Sequence, residues 1–171
     1  MKFVIASDIH GSAYWCERLL AFAESQQPDK LLLLGDLLYH GPRNDLPRDY
    51  APKKVIPMLS SWKDKIIAVR GNCEAEVDQM VLPFPCLADS CRVFADGVEL
   101  YLTHGHHENP DRLPPLPQGS VFLCGHTHVK LDKTVGGIRC LNPGSVSIPK
   151  DGSHSCIVWE DGTISFHILE E

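Results

Sequence analysis

Asp8 and His10 stand two residues apart where the apolar run 2–7 ends. Residues two apart on a strand share a face, so a carboxylate oxygen and an imidazole nitrogen converge on one point. A hard oxygen donor beside a borderline nitrogen donor begins a divalent-metal site. Alone, Asp-x-His is a common accident, but here the arrangement returns. The run 30–35 ends in Asp36, the run 65–71 in Asn72, the run 99–103 in His104-Gly105-His106, and the run 121–125 in His126-Thr127-His128. Open α/β sheets bind ligands beyond the carboxyl ends of their strands. Asp8, His10, Asp36, Asn72, His104, His126 and His128 are therefore expected to gather at one sheet edge. Seven donors exceed what one tetrahedral ion takes and suit two ions sharing a bridging carboxylate. Two ions roughly 3.5–4 Å apart drive in-line displacement at phosphorus, holding the attacking and leaving oxygens and making hydroxide near neutral pH. Oxygen and nitrogen donors without thiolate do not select zinc; they suit manganese, iron or zinc, and availability decides among them. Mn2+ is taken as the expected ion, with Zn2+, Fe2+ or Ni2+ as alternatives. Each residue also has an ordinary role: helix cap for Asp8, turn for Asp36 or Asn72, polar strand end for the histidines. Seven unrelated explanations at five strand ends make the weaker account.

The elements that must position these residues can be read in outline. After His10, Gly11 allows a sharp turn and Ser12 is a fair N-cap for a helix over 13–25. Trp15, Leu19, Phe22 and Ala23 follow the spacing of a buried helix face, so Trp15 and Phe22 are taken as core. The segment 37–52 reads as a long loop beside the site. Within it Arg43 and Asn44 are either phosphate or substrate contacts or plain turn residues. A helix over 53–62 meets an objection in Pro57, which removes a backbone donor and should kink or restart it. A short helix over 74–80 would have Glu74 and Glu76 at its positive end. Asp96-Gly97 between two strand-like runs predicts a hairpin. The proline-rich segment 107–119 should rim the site. Beyond Lys130 the pattern is all strand, broken at Gly136-Gly137, Asn142-Pro143-Gly144 and Asp161-Gly162. Strands alternating with helices, then a meander of strands, predict an α/β fold of two packed sheets with helices outside. One domain over 1–171 is expected.

The ordered set Asp8-x-His10, Gly35-Asp36, Gly71-Asn72, His104 and Gly125-His126-Thr127-His128 resembles that of the calcineurin-like metallophosphoesterases. The segment from Gly35-Asp36 to Asn44, the Arg70-Gly71-Asn72-Cys73 stretch and the short length are similar to the small bacterial YfcE-type phosphodiesterases in particular. The resemblance implies a sandwich of two mixed sheets flanked by helices, its C-terminal part mostly antiparallel. It implies Asp8, His10 and His128 on one ion, Asn72, His104 and His126 on the other, and Asp36 bridging. It implies in-line attack by the hydroxide between the ions, without a covalent phosphoenzyme. Many members follow Gly-Asn with a histidine that protonates the leaving oxygen, and this chain has Cys73. A thiol is no ready equivalent of imidazolium, so esters with poor leaving groups should suffer most. The YfcE-type proteins share the cysteine. His106 is a candidate either to contact phosphate or to replace the acid, or is simply an exposed loop residue. Asn142-Pro143-Gly144-Ser145 resembles a segment that orients ligands rather than binding metal.

The formal charge of −6 and the lack of a basic block exclude non-specific duplex binding, and no aromatic platform with basic flanks is available for single strands. Seven cysteines without a Cys-x-x-Cys pair fit free thiols in a reducing compartment. No apolar leader or membrane span is read, so a cytoplasmic protein acting on a small phosphodiester is expected. A homo-oligomer is suggested by family habit alone. The rival reading is an interaction scaffold on the same fold with little or no catalysis.

Overall fold

A computed structural model describes all 171 residues. The chain begins with three short parallel strands, β1 (Lys2–Ala6), β2 (Lys30–Leu33) and β3 (Ile66–Ala68). They are almost continuously apolar because both faces are covered. Between them run α1 (Ala13–Gln26) and α2 (Pro52–Ser60). Ser12 caps α1, its Oγ accepting from the Trp15 amide at 3.2 Å. A second sheet follows from β4 (Ser90–Ala95), β5 (Val98–Thr103), β6 (Val121–Leu123), β7 (Lys130–Val135) and β8 (Ile138–Pro143), in the order β4-β5-β6-β8-β7. Finally β9 (Ser155–Glu160) and β10 (Thr163–Ile168) return to the first sheet, giving β10-β9-β1-β2-β3. Each sheet has three parallel strands with antiparallel neighbours at its margins. The C-terminal strands therefore do not form one meander, since β7 and β8 stay in one sheet while β9 and β10 join the other.

Period-two alternation builds the layers. Val4, Ala6, Leu31 and Leu33 face outward under Trp15 and Leu19 of α1 and Val55 and Leu59 of α2. Phe3, Ile5, Leu32 and Leu34 face inward, against Leu100, Leu102, Val121, Leu123 and Leu141 of the second sheet. Helices cover only the first sheet. On the outer face of the second, Leu113 and Leu116 from the proline-rich segment pack over Tyr101, Phe122 and Cys140. Phe22 is only partly buried against the core that Trp15 enters.

Asp96-Gly97 turns the β4–β5 hairpin, and Gly136-Gly137 and Asp161-Gly162 turn two more; all six residues have positive φ. That is the turn geometry that matches strand twist. Two expectations are corrected. The second helix runs unbroken through Pro57, whose lost donor would have reached the carbonyl of Lys53, an exposed residue in the first turn where the missing bond costs least. The third helix, α3 (Glu76–Val81), starts two residues late, with Asp78 accepting from the Ala75 amide at 2.6 Å. Glu74 is not in it and is buried. No helix is long and apolar enough to cross a membrane.

Candidate metal centre

The parallel strands of both sheets end at the same edge, and the ligand-bearing turns meet there. Asp8 Oδ1 lies 3.1 Å from His128 Nε2, 3.4 Å from His10 Nε2 and 4.0 Å from His104 Nε2. Asp36 Oδ2 lies 3.4 Å from His104 Nε2 and 3.6 Å from His10 Nε2. Asn72 Oδ1 is 3.1 Å from His104 Nε2. Asp8, His10 and His128 form one group able to hold an ion, and Asp8, Asp36 and His104 another. Cys73 joins His10 and Asp36 in a third. His126 is in none of these groups; its ring stands edge-on to His104, centroids 5.1 Å apart.

The backbone fixes the tautomers. Nδ1 of His10 donates to Tyr39 O at 2.7 Å, that of His104 to Leu34 O at 2.6 Å, and that of His128 to Ile148 O at 2.7 Å. A carbonyl only accepts, so each neutral ring presents a bare Nε2 to the centre. His10 Nε2 and His128 Nε2 are then two lone pairs 3.3 Å apart. Asp8 Oδ1, a further acceptor aimed at them, is buried and has no hydrogen-bond partner. Acceptors crowded on acceptors repel unless cations lie among them, and imidazoles anchored through Nδ1 are the usual dress of metal ligands. The donor set thus fits divalent cations. Without them, protons take their place. Burial pulls His104 down, yet the hydrogen bond to Asp36 and the charge of Asp8 push it up to about 9. Burial opposes ionisation of Asp8, but His10 and His128 beside it hold its carboxyl well below the usual range.

The turns are pinned to one another. The Asp8 carbonyl accepts from Ser145 Oγ at 2.9 Å and Ser147 Oγ at 3.1 Å. Asp8 Oδ2 accepts from the His126 amide at 3.0 Å, and Asp36 Oδ1 from the Cys73 amide at 2.8 Å. Each carboxylate therefore spends one oxygen on a neighbouring turn and points the other at the centre. Asn142 donates to Gly125 O at 2.7 Å and Thr127 Oγ1 at 3.0 Å, orienting the His126–His128 turn. A Cβ on Gly71 would stand 2.1 Å from Asp36 Oδ1, which is why glycine precedes Asn72. Asp8, His10, Asp36, His126 and His128 all have positive φ. Such residues cost about 1 kcal/mol or more each and persist where the surroundings over-determine them.

Glu74 escaped the sequence reading. Its carboxylate accepts from the Asp36 amide at 2.9 Å, the Leu37 amide at 2.6 Å and the Gly71 amide, joining two ligand turns. Burial and the charge of Asp36 push it up to about 7. Only its place next to Asn72-Cys73 signalled it. Lys150 was also missed; with Arg43, Asn44, Thr127 and the donors Asp36, Asn72, His126 and His128 it lines a cavity of about 450 Å³ over the centre. Burial and the charge of Asp36 push the Cys73 thiol well up, so it keeps its proton. His106 sits beside His104 and His126, ring centroids 5.4 and 6.1 Å away. Burial and His104 pull it down to about 4, so it is uncharged near neutrality. Of the remaining histidines, His154 stacks on Trp15 with centroids 3.4 Å apart, and His167 hydrogen-bonds Ser165 at 2.8 Å, both away from the site.

A two-sheet sandwich with this edge-on donor cluster is the architecture of metal-dependent phosphoesterases, and comparison with known proteins agrees. The sequence profile of the calcineurin-like phosphoesterase superfamily domain matches residues 1–161, and the chain belongs to that superfamily. Within it, the chain is 50% identical over 153 residues to phosphodiesterase YfcE of Escherichia coli K12, covering 90% of this chain and 83% of the relative. The solved structure of that E. coli phosphoesterase superposes with a TM-score of 0.92 at 43% identity, over 99% of this chain and 100% of the other. Vps29 of Entamoeba histolytica shares the fold at a TM-score of 0.63 and 18% identity, over 98% and 97% of the two chains.

Proposed function

We propose that this protein is a phosphodiesterase that uses two divalent cations, Mn2+ foremost, to hydrolyse a small-molecule phosphodiester. The observation that carries the reading is the convergence of the His10, His104 and His128 Nε2 atoms on Asp8 Oδ1, each within about 4 Å of it. The 50% identity to a phosphodiesterase over most of the chain supports the substrate class. Asp8, His10 and His128 would hold one cation and Asn72, His104 and His126 the other, with Asp36 serving both. Bound cations supply charge neutralisation at phosphorus and a water activated near neutral pH. Asn72 and His126 line the cavity and face the phosphoryl oxygens. The bond from phosphorus to the leaving oxygen breaks as that from the attacking water forms. Cys73 keeps its proton and His106 is uncharged, so neither assists a poor leaving group strongly. Nothing in the chain reads a nucleic acid, and we place the protein in the cytoplasm as one catalytic domain.

The test is hydrolysis of bis-p-nitrophenyl phosphate and p-nitrophenyl phosphate by protein stripped of metal and resupplied with Mn2+. Diester cleavage exceeding monoester cleavage, and lost by at least 100-fold in Asp36→Asn with the fold intact, is expected. Full activity in that variant, or none in the parent with any divalent metal, overturns the proposal.

A further inference from the structure

Two cavities meet at His126 and Thr127, which line both. They differ in charge. The one over the centre, about 450 Å³, has no apolar lining, and Arg43 and Lys150 stand on its rim unpaired with any carboxylate. The other, about 500 Å³, includes Val129 and Leu131. Its lysines are neutralised: Lys130 by Asp151 at 2.8 Å and Lys133 by Asp111 at 3.6 Å. His106 completes that wall.

The two free cations are not stray surface charge. Lys150 is fastened to a ligand turn, its amide donating to His128 O at 2.9 Å while His128 Nδ1 donates to Ile148 O at 2.7 Å. Arg43 sits in a turn closed by Asn44 Nδ2 donating to His40 O at 2.7 Å. Gly41 of that turn lies against Cys73, so close that an added Cβ would be 3.1 Å from the sulfur. Both charges thus come from loops tied to the site and line one cavity, in a chain of net charge −6. A phosphodiester carries a single negative charge. Two divalent cations, less the Asp8 and Asp36 carboxylates and the attacking hydroxide, would already balance it. Arg43 and Lys150 are therefore surplus to the scissile group and complement a second anion.

We propose that the substrate is an unsymmetrical phosphodiester. One arm carries a further anionic group, phosphate-like, held by Arg43 and Lys150; the other is uncharged and lies along Val129 and Leu131. The inference rests on the phosphodiesterase reading above. Its test compares two p-nitrophenyl phosphodiesters, one with an ethyl arm and one with a 2-phosphonoethyl arm, on the Mn2+-loaded protein. The phosphonoethyl ester is expected to have at least tenfold higher kcat/KM, carried by KM, and the double variant Arg43→Gln, Lys150→Gln to bring the ratio close to one. Isothermal titration with 2-phosphonoethyl phosphate against ethyl phosphate should show the same preference and the same loss. Equal kcat/KM for the two esters, or a preference that survives the double variant, overturns the inference and leaves the phosphodiesterase standing. Cleavage of neither ester overturns the phosphodiesterase and this inference together.

Discussion

At the scale of single residues, the histidines of the centre are defined by what their outer nitrogens do. Each Nδ1–H of His10, His104 and His128 is committed to a carbonyl, and no sequence pattern announces those carbonyls, which belong to Tyr39, Leu34 and Ile148. The residue types at the strand ends were legible; the tautomers and the crowding of acceptors were not. A consequence follows for proton balance. His104 is raised to about 9, so below that pH a metal must displace its proton. Metal affinity is therefore expected to climb about tenfold per pH unit for each proton displaced, between pH 7 and 9, and to level off above. Calorimetry in buffers of different ionisation heat would count the protons released; none at pH 7 contradicts the assignment. Glu74 invites a second expectation. Glu74→Gln turns an amide N–H2 toward backbone donors that now meet a carboxylate oxygen. The loss should weaken metal binding 10- to 100-fold, read by titration of the metal, with kcat falling alongside. For Cys73, whose thiol keeps its proton, kcat/KM is expected to drop steeply as the leaving-group pKa of aryl diesters rises, and a flat dependence would mean that another acid serves.

At the scale of elements, the ligand turns are strained and interlocked. The hairpins at Asp96-Gly97, Gly136-Gly137 and Asp161-Gly162 could be read from sequence because their residue types state their backbone geometry. The positive φ of Asp8, His10, Asp36, His126 and His128 could not, because Asp and His are compatible with many conformations. Pro57 misled because a local rule about helices ignores where the lost donor would have gone. Glu74 misled because an acid near a helix start has an ordinary explanation. The assignment of β9 and β10 to the first sheet was hidden because a strand's partner is chosen by packing, not by its own pattern. Gly71→Ala forces a Cβ to within 2.1 Å of Asp36 Oδ1 and 2.8 Å of Glu74 Oε2. Overpacking of this kind costs about 1–3 kcal/mol, and denaturant midpoints together with a large loss of activity would register it. His126→Gly should act the other way on the metal-free protein. It relieves a left-handed backbone at a half-exposed position and should hold or raise thermal stability while abolishing hydrolysis.

At the scale of the molecule, the two sheets are held together by apolar packing over most of their area and by polar contacts at two ends. One end is the Met1 amine, which donates to Asp96 at 3.0 Å and Asp161 at 2.6 Å, linking the turns of two hairpins from different sheets. Its hydrogen bonds to Asp161 and Asp96 raise that amine from 8.0 to about 10. A raised amine stabilises fully below pH 8 and ceases to as pH climbs through about 10. Melting temperature should therefore decline over that window, and the decline should shrink in Asp161→Asn. The other end is the candidate metal centre, and its candidate donors come from both sheets: Asp8, His10, Asp36 and Asn72 from turns of the first, His104, His126 and His128 from turns of the second. Cations shared across that seam belong to neither sheet alone. At a hundred times its dissociation constant, each adds about 2.7 kcal/mol against unfolding, roughly 5–10 °C for a chain of this size. Without divalent metal the sandwich would then be looser, with five uncompensated backbone strains at its rim, an easier mark for proteases. The amount of this protein, and not only its turnover number, would follow the metal supply.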